Sequence, residues 1–308
     1  MDLLFAFQNM RESVSPVLTE FFMLVSNAVI YVIPVAIMAI YWCGDKEYGK
    51  QLITELTYGF WFNGIAKLTA CIYRPWVLDH RLHVFQDAAD TATGYSFPSA
   101  HTTVAAIGLT NLATHTRKKA WRAVSIFLII LVMFSRMWLG CHSFADVAAG
   151  LLIGIGSMFA VRFIDKKLAN NDRRNLIKLA IAIALSAVSV IYIETKQYPV
   201  DLDSAGRIIV DANDMKPDTY MGIAMILGWT VGNMIEERFI GFTVDGSTGA
   251  KVIRTAAGAV LFLSVYLGLK ALPASWDVRL VKFLRMFVSF ISATVLYPWI
   301  FMKWRNRK

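Results

Sequence analysis

Hydrophobic residues form long stretches along this chain, and polar residues are concentrated in the segments between them. A helix of about 20 apolar residues is long enough to cross a bilayer. Stretches of this length or slightly shorter lie at about 17–42, 52–73, 98–114, 123–139, 142–163, 179–193, 219–235, 252–269 and 280–302. The pattern therefore predicts an all-α protein, a polytopic transmembrane helix bundle with about nine membrane helices.

A short amphipathic segment precedes the first apolar stretch. Leu3, Phe7 and Met10 recur at helical spacing, so they fall on one face of a helix. Such a helix can lie in the membrane interface with its apolar face toward the lipid. We therefore interpret residues 1–16 as an N-terminal interfacial helix.

The composition also indicates a membrane protein. Of the 308 residues, 56% are hydrophobic and 17% are charged, whereas an average soluble domain is about 25% charged. A chain this apolar cannot hide its hydrophobic surface in water. We therefore expect a multi-pass integral membrane protein.

The net charge of +9 is explained by the membrane and not by nucleic acid. The basic residues cluster in short segments, notably 117–122, 162–178 and 303–308. Nine crossings place these three segments on one side, and loops rich in Lys and Arg lie in the cytoplasm. The segments 74–97 and 194–218 then lie on the outer side, and we expect no nucleic-acid partner.

Three polar clusters interrupt the apolar pattern between Lys67 and Asp146. They are Lys67-x6-Arg74-Pro75, Pro98-Ser99-Ala100-His101 and Ser135-Arg136-x5-His142-x3-Asp146. Each lies at or beside the end of an apolar stretch, and the orientation above puts all three at the outer face. Charged residues at a membrane helix are costly, so a functional site is the default interpretation.

The spacing within the clusters predicts how their side chains meet. Lys67 and Arg74 are seven residues apart, two turns along one helical face. His142 and Asp146 are four apart and would be neighbours on a helix. Arg136 would point elsewhere on an unbroken helix, but Gly140 permits a turn that brings Arg136 and His142 to one pocket.

This combination of residue types suits phosphoryl transfer. The reaction needs positive charge around the phosphate oxygens and groups for in-line attack and departure. Lys67, Arg74 and Arg136 supply charge, and Ser99 opens a helix whose free N–H groups favour an anion.

The two histidines take different roles in this hypothesis. We assign the nucleophile to His142, because Asp146 can orient it, and the general acid to His101. Three cations can do the work of Mg²⁺, so we expect no metal and no cofactor.

Other polar groups have structural interpretations. Cys43, Cys71 and Cys141 are odd in number and predict no disulfide framework, although Cys71 and Cys141 flank the clusters and could approach each other. A metal site in the outer loop is an alternative to a solvated loop, which we favour; its ligands would be Asp79, His80, His83 and Asp87. We interpret residues 236–238 as charges at a helix end.

The motifs K-x6-R-P, P-S-x-H and S-R-x5-H-x3-D resemble the three-part signature of the type-2 phosphatidic acid phosphatase superfamily. The resemblance implies a six-helix phosphatase-type core and a phosphohistidine on His142, with His101 acting as acid and then as base. It also implies phosphate contacts from four residues and support of His142 by Asp146; those four are Lys67, Arg74, Ser99 and Arg136. Ala100 replaces the glycine usual in the second motif, and Ser135 receives no chemical step.

We therefore predict a membrane-embedded hydrolase that removes phosphate from a lipid phosphate or a polyprenyl diphosphate, such as undecaprenyl diphosphate, at the outer face of a bacterial plasma membrane. Residues 17–195 would form the phosphatase core, and residues 196–308 an acidic outer loop and three additional helices. Two alternatives stay open. One is a phosphatidate or sphingoid-base phosphate phosphatase with the same mechanism, and the other is a non-catalytic lipid-phosphate transporter or flippase. The sequence indicates neither the lipid nor the oligomeric state.

Overall fold

The computed structural model describes residues 1–14, 16–90, 92, 94–273 and 275–305. These residues form α-helices and contain no β-strand, apart from an isolated bridge between Leu202 and Ile208. The helices are α1 Asp2–Ser13, α2 Pro16–Cys43, α3 Lys46–Ala70, α4 Pro75–Leu78, α5 Gln86–Ala89, α6 Ala100–His115, α7 Lys119–Trp138, α8 Phe144–Leu168, α9 Arg174–Thr195, α10 Ala212–Ile235, α11 Thr248–Gly268, α12 Val278–Ile291 and α13 Tyr297–Arg305. Part of the basic C-terminal segment, residues 306–308, lies outside the described residues.

Six helical segments of the described chain are long and apolar enough to cross a membrane. They are Pro16–Cys43, Lys119–Trp138, Phe144–Leu168, Arg174–Thr195, Thr248–Ala271 and Val278–Trp304. The prediction of an all-α membrane protein is therefore confirmed. The other three predicted crossings correspond to α3, α6 and α10, each of which is either shorter or less apolar than these six segments. A total of nine membrane helices remains a prediction.

One predicted helix ends earlier than its apolar pattern suggested. The apolar stretch reaches residue 73, but α3 stops at Ala70, and Cys71 adopts a left-handed backbone conformation with φ of 51°. Arg74 then precedes Pro75, the first residue of α4. The prediction that Lys67 and Arg74 share one helical face is therefore wrong, because the chain changes direction between them.

The described chain divides into two compact units. Unit 1 comprises residues 1–33, 62–158 and 196–215, and unit 2 comprises residues 34–61, 159–195 and 216–308. All three polar clusters of the sequence lie in unit 1. The predicted domains, 1–16, 17–195 and 196–308, remain predictions.

Within unit 1, α1 packs against α7 through Phe7. The Phe7 ring lies 4.9 Å from that of Phe134 and 6.2 Å from that of Trp138. Phe7 is buried, whereas Leu3 and Met10 are 47% and 50% exposed. The three residues predicted to form one apolar face thus lie in different surroundings, because Phe7 turns toward the core of the unit. The interfacial position of α1 stays a prediction.

Small residues bring α8 close to α6 within unit 1. A Cβ atom on Gly150 would lie 2.4 Å from the Ser99 carbonyl oxygen, and one on Gly154 would lie 2.6 Å from Ala106 Cβ. This spacing of small residues is typical of close helix contacts in membranes. Thr103 Oγ1 also donates to the Gly150 carbonyl at 3.0 Å. The start of α6 is thereby held beside α8.

Unit 2 is held by aromatic contacts and by partly buried ion pairs. The Tyr41 ring packs edge-on against Trp229 and Phe242, with centroids 5.5 and 5.1 Å away. Lys46 donates to Glu236, the first residue of the π-helical segment Glu236–Ile240, at 2.7 Å. Similar pairs join Lys50 to Glu237 and Arg162 to Glu55. The charges at 236 and 237 therefore take part in ion pairs within the unit.

Candidate active site

The seven predicted site residues all lie in unit 1, near the ends of its helices. Arg74 precedes α4, Ser99 caps α6, and His101 lies in the first turn of α6. Arg136 lies in the last turn of α7, and Asp146 in the first turn of α8. The remaining two are Lys67, in the last turn of α3, and His142, in the connection between α7 and α8.

A tight turn between α7 and α8 delivers His142 to the site. Gly140 has a φ of +75°, a conformation that glycine adopts without strain. The backbone N–H groups of Cys141 and His142 both donate to the Arg136 carbonyl, at 3.0 and 3.3 Å. The turn expected at Gly140 is present, and it places His142 close to Arg136 in spite of their sequence spacing.

The hydrogen bonds of His142 define its tautomer. His142 is 2% exposed, and its Nε2 lies 3.1 Å from Arg74 Nη1. Because a guanidinium can only donate, Nε2 must accept and Nδ1 must carry the proton. Nδ1 lies 3.3 Å from Ser96 Oγ and 3.6 Å from Asp146 Oδ2. A neutral imidazole of this kind presents its Nε2 lone pair to the cationic side of the pocket.

Ser96 links His142 to Asp146, a role that we did not predict. Its hydroxyl is fully buried and donates to Asp146 Oδ2 at 2.6 Å. The same oxygen accepts from the Ser143 backbone N–H at 2.6 Å. His142 precedes the first residue of α8, so the turn and Ser96, not helical spacing, bring the imidazole and the carboxylate together. In the sequence, Ser96 resembles any other polar loop residue.

Arg74 is buried across the same pocket. It is 5% exposed, its Nε donates to the Gly94 carbonyl at 3.2 Å, and its Nη1 donates to the Cys141 carbonyl at 2.9 Å. These bonds connect the segment before α4 with the turn that carries His142. Arg74 is thus fixed beside the imidazole even though α3 has already ended.

The Lys67 ammonium contacts backbone carbonyls of the segment that leads into α6. Its Nζ donates to the carbonyls of Tyr95, Ser96 and Pro98, at 2.9, 3.3 and 3.2 Å. These bonds hold the backbone on either side of Ser96. The phosphate contact predicted for Lys67 stays a prediction.

Arg136 is buried with incomplete hydrogen bonding. It is 1% exposed, and its Nη1 donates to Ser26 Oγ at 2.5 Å. In the part of the chain that the structure describes, Nε and Nη2 have no hydrogen-bond partner. A buried guanidinium with unsatisfied donors is costly unless an anion meets it. These two nitrogens are therefore suited to bind an oxyanion.

The start of α6 contributes Ser99 and His101. The buried Ser99 Oγ accepts from the backbone N–H and the hydroxyl of Thr102, at 3.5 and 3.2 Å, and so caps the helix. Ala100 is the first helical residue and is not left-handed, so the alanine at this position causes no backbone strain. His101 lies close enough to the other site residues for their charges to act on it; these are Arg136, His142, Arg74 and Lys67.

The electrostatics of the pocket favour a bound anion. Burial, reinforced by the charges of Arg74 and Arg136, holds the pKa of His142 well below its ordinary value of 6.5. Burial and the neighbouring Arg136 also lower the pKa of Arg74 to about 10. Both shifts show that further positive charge is unfavourable here, and an oxyanion would relieve that repulsion.

Two of the residues considered as metal ligands in the outer loop, Asp79 and His83, contact charged side chains instead. Asp79 pairs with Arg81 at 2.7 Å, and His83 Nδ1 lies 3.5 Å from Glu12. Across the described residues, no three His, Cys, Asp or Glu side chains are grouped as metal ligands would be. The cysteines, including Cys71 and Cys141, are free thiols.

Comparison with known families matches this site to a superfamily. Residues 49–169 match the PAP2 superfamily, and residues 220–308 match the PAP2 superfamily phosphatase transmembrane extension; together these segments make up most of the chain. The chain belongs to the PAP2 superfamily. The resemblance carried by the three motifs is thereby confirmed, and all seven predicted site residues fall within the first matched segment. The family match and the six apolar helices support a multi-pass membrane protein of this superfamily.

One curated relative also resembles this chain. Over 122 residues, this chain is 25% identical to an undecaprenyl-diphosphatase from Sulfolobus acidocaldarius. The match covers 40% of this chain and 57% of the relative, so the chain spans little more than half of that protein. No solved structure gives a significant match.

Proposed function

We propose that this PAP2 protein hydrolyses a lipid phosphate or polyprenyl diphosphate through a phosphohistidine on His142. The observation that carries the proposal is the 3.1 Å contact between Arg74 Nη1 and His142 Nε2. This contact supports the proposal because the guanidinium that would bind phosphate lies beside the atom that would attack phosphorus. The unpaired Nε and Nη2 of Arg136 supply further donors for the phosphate oxygens.

In the first step, His142 Nε2 attacks phosphorus, and the bond to the leaving oxygen breaks as His101 donates a proton to that oxygen. Arg74 and Arg136 balance the charge on the transferring phosphoryl group, with Lys67 and Ser99 as the remaining phosphate contacts. Asp146 stabilises the imidazolium through Ser96. In the second step, His101 removes a proton from water, which attacks phosphorus and releases phosphate and His142. The residues that would act lie in this chain, and the scheme uses no metal or cofactor.

The proposed substrate is a lipid with its phosphate at the outer membrane face. The undecaprenyl-diphosphatase relative supports a polyprenyl diphosphate as the substrate. The bacterial plasma membrane is proposed from the sequence alone. Phosphatidate and sphingoid-base phosphates are alternatives that offer the same headgroup chemistry. The match at residues 220–308 supports an addition after the catalytic core, as proposed for residues 196–308.

The test is phosphate release by protein purified in detergent, with undecaprenyl diphosphate, phosphatidate and a sphingoid-base phosphate as substrates. We expect His142→Ala to lower the rate by about 10⁴-fold or more, because the nucleophile is lost. His80→Ala, in the exposed outer loop, is the matched control and should behave like wild type. Equal release by wild type and His142→Ala from every lipid would disprove the mechanism. Tight lipid-phosphate binding without release would favour the transporter or flippase.

The outer location has a separate test. All three native cysteines are replaced by alanine, and single cysteines are introduced at Asp90 and at Lys118. An impermeant thiol reagent applied to intact cells should label position 90 and spare position 118. The opposite pattern would place the site in the cytoplasm.

A further inference from the structure

We infer that Ser26, on α2, is a positioning residue that orients Arg136 for the phosphate. The inference rests on the proposed function of the pocket and adds a residue from outside the motifs. Ser26 precedes residue 49, where the match to the PAP2 superfamily begins. The N-terminal membrane helix would therefore complete the site.

The contact between Ser26 and Arg136 is fully buried. Ser26 is 0% exposed and Arg136 is 1% exposed, and Ser26 Oγ accepts from Arg136 Nη1 at 2.5 Å. A hydrogen bond to a charged donor in such surroundings is among the stronger side-chain interactions. A hydroxyl in a long apolar helix thus meets the end of a guanidinium from α7.

The edge of the guanidinium that Ser26 leaves free is the informative feature. Nη1 is bonded to Ser26, whereas Nε and Nη2 have no partner among the described residues. Nε and Nη2 form the side-on edge of arginine, which can bind two oxygens of one oxyanion at once. By holding Nη1, Ser26 selects the rotation of the planar group that presents this edge.

A second polar contact between α2 and α7 provides a control. Thr19 Oγ1 accepts from Trp138 Nε1 at 3.3 Å, and both residues are buried. Thr19→Val removes a buried hydroxyl between the same two helices without affecting the Arg136 contact. It therefore reports what the loss of a polar helix contact does by itself.

The experiment measures the affinity for inorganic vanadate, a mimic of pentacoordinate phosphorus. The full-length proteins in detergent are wild type, Ser26→Ala, Ser26→Thr, Thr19→Val, Arg136→Met and the double variant Ser26→Ala/Arg136→Met. Affinity is read from the rise in melting temperature with vanadate, which needs no catalysis, and kcat and KM are measured alongside. We expect Ser26→Ala to weaken vanadate binding about 10-fold, and Ser26→Thr, which keeps the hydroxyl, and Thr19→Val to stay near wild type.

The double variant decides whether Ser26 acts through Arg136. If it does, Ser26→Ala has no further effect on vanadate binding once Arg136→Met is present. An unchanged affinity in Ser26→Ala, an equal loss in Thr19→Val, or a loss that persists in the double variant would overturn the inference. Should Ser26→Ala not fold, Ser26→Cys replaces it, because a thiol accepts hydrogen bonds weakly; wild-type affinity in that variant would again overturn the inference. Failure of the proposed function gives a different pattern, in which wild type binds vanadate but releases phosphate from no lipid. An unchanged vanadate affinity in Arg136→Met would overturn the inference about Ser26 as well.

Discussion

Each of the two units buries charged side chains, but their charges are balanced in different ways. In unit 2, Lys46 and Lys50 face Glu236 and Glu237 across 2.7 and 2.8 Å, so two cations meet two carboxylates. In unit 1, the residues assigned to the site carry three cations and one carboxylate, and Arg136 keeps two nitrogens without a partner in the described chain. Glu236 Oε2 also lacks a hydrogen-bond partner in the described chain, so the units differ in sign: the site in unit 1 has more cations than carboxylates, whereas each of these cations of unit 2 faces a carboxylate.

This difference is expected if the charges of unit 2 are structural and those of unit 1 are held for a ligand. A buried ion pair is weak evidence for function, because each partner offsets the desolvation of the other. A buried cation without that partner is unfavourable until an anion arrives. A basic side chain is therefore interpreted as structural in unit 2 and as ligand-binding in unit 1, and matched substitutions can test this interpretation.

Among the substitutions that compare the two units, the largest effect is expected for Arg136→Met, which keeps the volume of the side chain and removes its charge. Loss of the donors that we propose for phosphate should lower kcat/KM by about 100- to 1000-fold. The melting temperature should change little, because an incompletely bonded buried cation is lost. Phosphate release and thermal unfolding of the same purified sample provide both measurements. Normal activity with a much lower melting temperature would make Arg136 a structural residue.

The same substitution in unit 2, Lys46→Met, should have the opposite result. It leaves the fully buried Glu236 without its ion-pair partner, so we expect a loss of about 2–3 kcal/mol in the free energy of unfolding. The kcat/KM of the folded protein should stay close to wild type. The measurements are denaturant unfolding and initial rates with the same lipid.

A double variant serves as the control for that prediction. Lys46→Met/Glu236→Met removes both charges and should recover much of the lost stability, since no unpaired carboxylate remains. A fall in kcat/KM comparable to that of Arg136→Met would show that the pair in unit 2 takes part in the reaction. The distinction between the two units would then fail.

Helix positions could be predicted where the sequence carries a signal. The apolar stretch 17–42 corresponds to Pro16–Cys43, and Gly140 marks the turn after α7 as expected. The end of α3 could not be predicted in the same way. Cys71 takes a left-handed conformation without being glycine, and nothing around it in the sequence distinguishes it from a helical residue. Hydropathy also continues to residue 73, which conceals the break.

The charged residues of the site and the motif serine Ser99 could be predicted from the sequence, but the hydroxyls of Ser26 and Ser96 could not. Lys, Arg, His and Asp are conspicuous among apolar residues, so the motifs identify them directly. Ser26 lies within an apolar stretch and Ser96 in a loop, and serine is ordinary in both places. Their partners become visible only in three dimensions, where both hydroxyls are 0% exposed.

Ser96→Ala removes an uncharged hydroxyl from the site and should lower activity less than Arg136→Met does. Loss of the hydroxyl that connects His142 to Asp146 should lower kcat about 10-fold. It should also change the pH dependence of kcat/KM. In the proposed mechanism His142 must be neutral to attack, and its pKa is held low by burial and the nearby cations, so we expect the acid limb below pH 6.5. The Ser96 hydroxyl accepts from Nδ1 and donates to Asp146, which favours the protonated imidazole, so its removal should shift that limb to still lower pH.

Ser135→Ala is the matched control for Ser96→Ala. Ser135 is also fully buried and belongs to the third motif, but its hydroxyl donates to the Val132 carbonyl within α7. We expect its kcat and its pH profile to match wild type. If Ser96→Ala lowers kcat without moving the acid limb, or if both alanine variants behave alike, Ser96 has a packing role only.

Arg81→Gln, which breaks the exposed ion pair between Arg81 and Asp79 in the outer loop, is expected to have the smallest effect. Hydrogen bonds from Arg81 lower the pKa of Asp79 to about 2, yet the Arg81 side chain is 79% exposed. Water screens such a pair, so a shifted pKa by itself identifies neither structural nor functional charge. The melting temperature and kcat/KM should both equal wild type within error. A several-fold fall in kcat/KM would instead mean that the loop contacts the lipid headgroup, and that an exposed cation can serve the reaction as a buried one does.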